Sequence, residues 1–219
     1  MRKYYEAYEE RYKSVHQLGL QWAEKEPTPI VKGIIEKYNI STQAKILEIG
    51  CGEGRDTIYL YKNGYNVYGS DISKEAIDYC ISVSGYNNFF HLDAVNGSMI
   101  EKFDYIFAIA VVHMLVLDED RKKLLRFIKD HMSDNGYALI CSMGDGIEKY
   151  ETDINHAFDS VDRIHESSGM HLKIAATSCR KVDWTTFENE MITANLSIIE
   201  KGILHDVPGF DSMMYIVAQ

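Results

Sequence analysis

The 219-residue chain lacks a surplus of basic charge: 23 Lys and Arg stand against 33 Asp and Glu, for a net charge of −10. Its isoelectric point lies near 5.3. That balance repels a phosphate backbone, and no Lys/Arg stripe offsets it, which excludes nucleic acid as an expected partner. Cysteine is scarce as well. The four thiols, Cys51, Cys80, Cys141 and Cys179, show neither Cys-x-x-Cys nor Cys/His metal spacing, so no metal is expected and reduced thiols in a cytoplasmic protein are. Long apolar runs are missing too. The longest, Tyr105 to Leu117, is broken by His113 and falls short of the roughly 20 residues that span a bilayer. Met1-Arg2-Lys3 runs into tyrosines and glutamates and not into an apolar signal core, so export and membrane association are not expected. With no internal repeat and no low-complexity linker, residues 1–219 are expected to form a single α/β domain with a full core.

The organising stretch is Lys45-Ile46-Leu47-Glu48-Ile49-Gly50-Cys51-Gly52-Glu53-Gly54-Arg55-Asp56, an apolar run that breaks into a loop with glycine at every second position. It predicts a buried strand, a ligand loop and a helix start. Glycines there permit positive φ and let a ligand lie against the main chain, while the helix N-terminus favours an anionic group. A dinucleotide fingerprint would put its third glycine five positions after the first; Gly50, Gly52 and Gly54 do not match it. A second strand, residues 66–71, ends in Asp71, where a carboxylate can accept both hydroxyls of a ribose; capping the following helix is its structural alternative. Ile72 then offers an apolar face next to that carboxylate. A third strand, residues 88–93, also ends in Asp, at Asp93.

Apolar periodicity organises the remainder. The spacing of Tyr4, Tyr5, Tyr8, Tyr12 and Val15 predicts a helix over residues 2–16. This stripe either packs on a core with its hydroxyls wet or, with His16 and Trp22, folds over a ligand cleft as a lid spanning residues 1–26. Thr28 is expected to cap a helix carrying Pro29 at its first position and Ile30, Val31, Ile34, Ile35 and Tyr38 on one face. Helices are predicted at 56–63, stopped by Gly64, at 73–81 and at 118–132, the last closed by the turn Ser133-Asp134-Asn135-Gly136. Residues 103–110 have the continuous hydrophobicity of a central parallel strand, and a fifth strand is expected at 137–143. From 144 to 183 the pattern turns polar, with one possible strand at 170–176. A helix at 184–194 and strands at 196–202 and 212–218 complete the chain.

The Glu48-x-Gly50-x-Gly52-x-Gly54 run, followed by the strand-end acids Asp71 and Asp93, resembles the first motifs of the class I S-adenosylmethionine-dependent methyltransferases. Gly-Cys-Gly-x-Gly-Arg, Asn63-Gly64-Tyr65 and Asn135-Gly136-Tyr137 are most similar to the tellurite-resistance type of small-molecule methyltransferase. The resemblance implies a doubly wound, Rossmann-like sheet of seven strands, mostly parallel with an antiparallel C-terminal hairpin, and helices on both faces. It implies S-adenosylmethionine as cofactor, contacted by Glu48, Gly50, Cys51, Gly52, Gly54, Arg55, Asp71, Ile72, Asp93, Ala94 and Ala110, with Asp93 on the adenine amine; a plain turn is the alternative for Asp93. Where amino-methylating relatives carry Asn/Asp-Pro-Pro-aromatic, this chain has Ala110-Val111-Val112-His113, which argues against a nucleobase or protein-glutamine acceptor.

Methyl displacement from a sulfonium needs alignment more than catalytic groups. His113, just past the central strand, is the candidate for contact with the acceptor, as a base or as part of the pocket wall, against the alternative of a loop histidine bonded to backbone. Tyr8, Tyr12, His16 and Trp22 are expected to line the acceptor pocket. The acidic balance points to a small, uncharged or cationic acceptor. Two rivals stay open: a catalytically idle cofactor-binding protein and, lacking its glycine fingerprint, a nicotinamide-dependent oxidoreductase.

Overall fold

The computed structural model describes residues 2–22, 26–165 and 167–219. Alternating strand and helix build the first half: α1 (Ala7–His16), α2 (Pro29–Lys37), β1 (Ile46–Ile49), α3 (Arg55–Lys62), β2 (Val67–Asp71), α4 (Lys74–Ser84), β3 (Phe89–His91) and β4 (Phe103–Ile109). The second half runs through α5 (Asp118–His131), β5 (Met132–Met143), the short strands β6 (Tyr150–Glu151), β7 (Ser160–Ile164), β8 (His171–Ala175) and β9 (Arg180–Lys181), then α6 (Trp184–Thr193), β10 (Ile198–Leu204) and β11 (Met213–Ala218).

Seven strands form one sheet in the order β10-β11-β5-β4-β1-β2-β3. Neighbours are parallel from β3 to β5, and β11 runs antiparallel to both β5 and β10. The expected Rossmann-like sheet and its C-terminal hairpin are therefore present. Strand β4 shows why the core is two-sided: Ile106 and Ala108 pack with Leu124, Leu125 and Ile128 of α5 and with Phe187 and Met191 of α6. Its intervening residues Tyr105, Phe107 and Ile109 pack with Val31, Ile34 and Ile35 of α2 and Leu60 of α3. Period-two alternation along the strand thus feeds both faces. Strand order reverses between β1 and β4, and at such a switch point the loops leaving the carboxyl ends part to leave a crevice.

Several expectations change in detail. Thr28 precedes α2 but makes no side-chain cap bond; its hydroxyl instead donates to Asp56 Oδ2 at 2.7 Å and its N–H to Asp56 Oδ1 at 2.6 Å. The Ser133–Gly136 turn does not separate α5 from β5. Phe103 pairs with Met132 while Tyr105 pairs with Tyr137, so the polar residues form a bulge within the strand, an insertion that a sheet edge accommodates. The 144–183 stretch holds more structure than expected: β6 pairs with β9 and β7 with β8, in two antiparallel two-stranded sheets. Residues 23–25 of the expected lid, its first residue, and Glu166 of the 144–183 stretch lie outside the described residues.

Candidate active site

The crevice at the switch point is a cavity of about 680 Å³. On one side its wall is made by the residues that follow β1 to β4: Gly50 to Glu53, Asp71 and Ile72, Leu92 to Val95, and Ala110, Val111 and His113. On the other side it is closed by Tyr5, Tyr8, Arg11, Tyr12 and Trp22 from the N-terminal segment and by residues of the 144–183 stretch. All the sequence-derived site residues reach this wall except Gly54 and His16.

The glycine loop is held by acids from neighbouring elements. Asp71 Oδ2 accepts the Gly52 N–H at 2.8 Å and Oδ1 the Ser73 N–H at 2.8 Å. One side chain thus ties the glycine loop to the entry of α4, whose cap is Ser73 itself, and a carboxylate with about four acceptor positions keeps lone pairs for a ligand. Burial pushes the Asp71 carboxyl up, against the two backbone hydrogen bonds that pull it down. Glu48 Oε2 accepts both the N–H and the hydroxyl of Thr57, at 2.9 and 2.5 Å, and so caps the first turn of α3 from the preceding strand. Burial, with Asp56 nearby, raises its carboxyl well above the ordinary range. Asp93 Oδ1 accepts from Val95 N–H at 2.9 Å, and Tyr5 lies at 3.4 Å from its other oxygen; Asp93 makes the expected turn and still faces the cavity. Arg55 reaches back to the Thr28 hydroxyl at 2.7 Å.

Two glycines are required by what faces them. A Cβ on Gly50 (φ +72°) would lie 2.3 Å from Val111 Cγ2, and one on Gly52 (φ +52°) 2.6 Å from the Tyr12 hydroxyl. Gly54 turns the chain into α3 at φ +80° and packs against Cys80 and Ile58, away from the cavity wall. Beyond β4, Ala110 adopts φ +60°, a conformation that non-glycine residues avoid and that clusters at functional sites.

The N-terminal helix is bolted over the crevice. Glu9 Oε2 accepts from the Ser73 hydroxyl and the Glu75 N–H, at 2.6 and 3.0 Å. Arg11 Nη2 donates to Ala175 and Ala176 oxygens and to Thr177 Oγ1, at 3.0, 2.9 and 2.7 Å. Tyr4 Oη accepts from Val116 and Leu117 N–H at 3.0 and 3.2 Å. His16 is not on the cavity wall as expected: its two nitrogens meet Glu53 and Glu75 at 2.8 and 2.9 Å, and its ring stacks on Tyr79 at 4.5 Å. It fastens α1 to the glycine loop and α4, because two carboxylates compete for it more strongly than a cavity would.

His113 differs most from expectation. Met143 N–H donates to its Nδ1 at 3.2 Å, and since an amide only donates, Nδ1 is the unprotonated nitrogen and the ring proton sits on Nε2. Burial, with the Arg121 charge second, pushes its pKa down to about 3. A ring whose free nitrogen is occupied and whose other nitrogen already carries a proton cannot serve as a base. It is a neutral donor and wall residue, set edge-on against Phe210.

Arg121, missed in the sequence, fixes that loop. Fully buried on α5, it donates to Glu190 through Nε and Nη2 at 2.6 and 2.7 Å and to Val112 O at 2.7 Å. An arginine and a glutamate 69 positions apart carry no local pattern, so only the packing of α5 on α6 reveals them. Thr177 was likewise silent in the sequence, yet stands at φ +64° on the wall.

Residues 47–138 match the profile of the methyltransferase domain family. The matched stretch runs from β1 into β5 and covers less than half of the chain. The chain is 27% identical over 117 residues to a probable S-adenosyl-L-methionine-dependent methyltransferase, TehB, of Haemophilus influenzae, covering 52% of this chain and 41% of the relative. It is 28% identical over 137 residues to the ribosomal protein L11 methyltransferase of Campylobacter jejuni, covering 60% and 44%. The match thus spans less than half the length of either relative. Among solved structures, the Burkholderia thailandensis 1,6-didemethyltoxoflavin-N1-methyltransferase superposes with a TM-score of 0.67 at 15% identity, over 94% of this chain and 83% of that one, a likeness of fold. Within the matched stretch, Glu48, the glycine loop, Asp71 and Asp93 occupy the carboxyl edge around the switch point. Among the described residues no helix is long and apolar enough to cross a membrane.

Proposed function

We propose that this chain transfers the methyl group of S-adenosylmethionine to a small-molecule acceptor by direct displacement. The observation that carries the reading is that Asp71 holds Gly52 by hydrogen bond while both line one cavity at the switch point. Backbone freed of side chains, a carboxylate with unused lone pairs and the apolar Ile72 together suit a ribose, its base and a zwitterionic tail. Asp71 would bind the ribose hydroxyls, Asp93 the adenine amine, and the Gly50–Gly52 backbone the methionyl end. The cofactor, when bound, supplies an already activated methyl group, so the protein's work is alignment and exclusion of water. The helix α1 and Trp22 exclude water from above; His113 Nε2–H orients the acceptor without taking its proton.

A small acceptor is supported by the roof. A macromolecular substrate needs an open mouth, whereas α1 is fastened at Glu9, Arg11 and His16 across this one, and about 680 Å³ lies within the usual range of roughly 300–1,000 Å³ for small-ligand sites. The buried thiols Cys51, Cys80 and Cys141 fit a cytoplasmic setting. Calorimetry should find binding of S-adenosylmethionine and S-adenosylhomocysteine and none of nicotinamide dinucleotides, with Asp71→Asn weakening the first two at least about tenfold. Dinucleotide binding, or unchanged affinity in that variant, would sink the cofactor assignment; tight cofactor binding without S-adenosylhomocysteine release against any acceptor would favour the idle binding protein.

A further inference from the structure

The acceptor side of the cavity carries the opposite charge from the rest of the molecule. Arg11 is 8% exposed and lines the cavity. Only its Nη2 is used: Nε is enclosed without a partner, Nη1 bonds to nothing among the described residues, and no described carboxylate pairs with the group. Its guanidinium lies between two rings, 5.1 Å from the centre of Tyr8 and 4.9 Å from that of Trp22. Arg163 of β7 shares the wall, also without an ion pair among the described residues, and its charge adds to burial in pulling the Arg11 pKa down. Two guanidiniums without a counter-charge repel each other and cost free energy in a half-enclosed space. The aromatic faces offset part of that cost, and the remaining donors point to an anionic ligand. Planar guanidinium forks match carboxylate and phosphate oxygens in particular.

We infer that the acceptor is a small molecule bearing an oxyanion, carboxylate or phosphate ester, bound by Arg11 and Arg163 beside the Tyr8 and Trp22 rings. This rests on the methyltransferase reading for the word acceptor, though not for the anion site itself. It reverses the uncharged or cationic acceptor that a net charge of −10 predicts, because the cavity and not the whole surface meets the substrate. The anion seats at the roof, and the part of the molecule to be methylated extends from it toward the glycine loop.

The test is calorimetry with benzoate, phenyl phosphate and benzamide on the wild type, on Arg163→Gln and on Arg11→Lys, with and without S-adenosylhomocysteine. The expected result is binding of at least one anion and a loss of about tenfold or more in either variant. Benzamide should bind at least about tenfold more weakly than the anions, since it keeps the ring and loses the charge. Preference for benzoate identifies a carboxylate source, preference for phenyl phosphate a phosphate ester. Equal binding of benzamide and the anions, no anion binding by the wild type, or an Arg163→Gln variant with wild-type anion affinity would each overturn the inference. The Arg163 side chain makes no hydrogen bond among the described residues, so its variant reads charge without disturbing the α1 clasp. Absence of heat for S-adenosylhomocysteine would fault the cofactor assignment, while the anion titrations on the cofactor-free chain decide the present point.

Discussion

Gly52→Ala, alone and with Tyr12→Phe, tests whether helix α1 and the glycine loop fit one another as a roof on a floor. Two separable costs follow from the geometry. First, Gly52 has φ +52°, and an alanine held in the left-handed region costs about 1–2 kcal/mol. For a chain of this size that is roughly 2–8 °C in melting temperature. Second, the new Cβ would stand 2.6 Å from the Tyr12 hydroxyl but 3.6 Å from the ring carbon that bears it. The hydroxyl alone clashes. It makes no hydrogen bond among the described residues, so Tyr12→Phe by itself should leave the melting temperature nearly unchanged, and in the double variant only the backbone cost should remain. The second substitution is therefore expected to rescue the first, a coupling of favourable sign between residues in contact. Thermal melting gives the stability arm and calorimetric titration with S-adenosylhomocysteine the binding arm; Gly52→Ala should weaken the latter at least about tenfold. A double variant no more stable than Gly52→Ala would refute the close approach, and a wild-type Gly52→Ala would refute both costs at once.

The pH dependence of His113 has a definite sign. Because its folded pKa of about 3 lies below the ordinary 6.5, the unfolded chain takes up the proton first as the medium is acidified; the contribution to stability is complete above about pH 6.5 and falls by up to ~1.4 kcal/mol per pH unit between there and about pH 3. His113→Gln should flatten that slope in urea titrations across pH 4 to 7, and the wild-type rate profile should show no ionisation from this ring; an ionisation near neutrality that vanishes in the variant would restore the base. Removing Glu190 should strand the fully buried Arg121 and cost about 3–5 kcal/mol, a fall of roughly 6–20 °C in melting temperature; an unchanged melt would show the pair to be dispensable.

What the sequence disclosed and what it withheld divide along a physical line. Short-range patterns were legible: the apolar run of β4, the glycine spacing, and the strand-end acids all lie within a few residues of the structure they dictate. Even Gly64 and Gly85 stand at φ +82° and +67° just after α3 and α4, as a helix-ending glycine does. Pairings across the fold were not legible. Thr28 with Asp56, Arg121 with Glu190 and Arg11 with residues 175–177 join segments 28, 69 and more than 160 positions apart, and no periodicity encodes them. In the polar 144–183 stretch the expected strand at 170–176 is present as β8, while its partner β7 escaped prediction for a related reason. In β7, Ser160, Asp162, Arg163 and Ile164 are exposed, so the alternation that marks a half-buried strand is absent, and its hairpin with β8 gains its burial from Val15 on α1, packed against Leu172 and Ile174.

The same division is why the charge of the cavity need not follow the net charge of the chain. Five acids surround the cavity, and each accepts a backbone N–H of this chain: Glu48 from Thr57, Glu53 from Trp22, Asp56 from Thr28, Asp71 from Gly52 and Ser73, and Asp93 from Val95. Loops that leave parallel strands bring their amides together without partners of their own, and a buried donor left unpaired costs about 1–3 kcal/mol. Carboxylates supply several acceptor positions per side chain, so the cheapest scaffold for such a crevice is an acidic one. Part of its acceptor capacity is thereby used by the protein's own backbone, and Asp71 keeps lone pairs on the glycine-loop side of the cavity. The arginines on the roof are not so committed: Arg11 spends one nitrogen on carbonyls and Arg163 none. The sign that a ligand meets in a cavity follows from the groups left over after the fold has satisfied itself, and on the roof those groups are cationic.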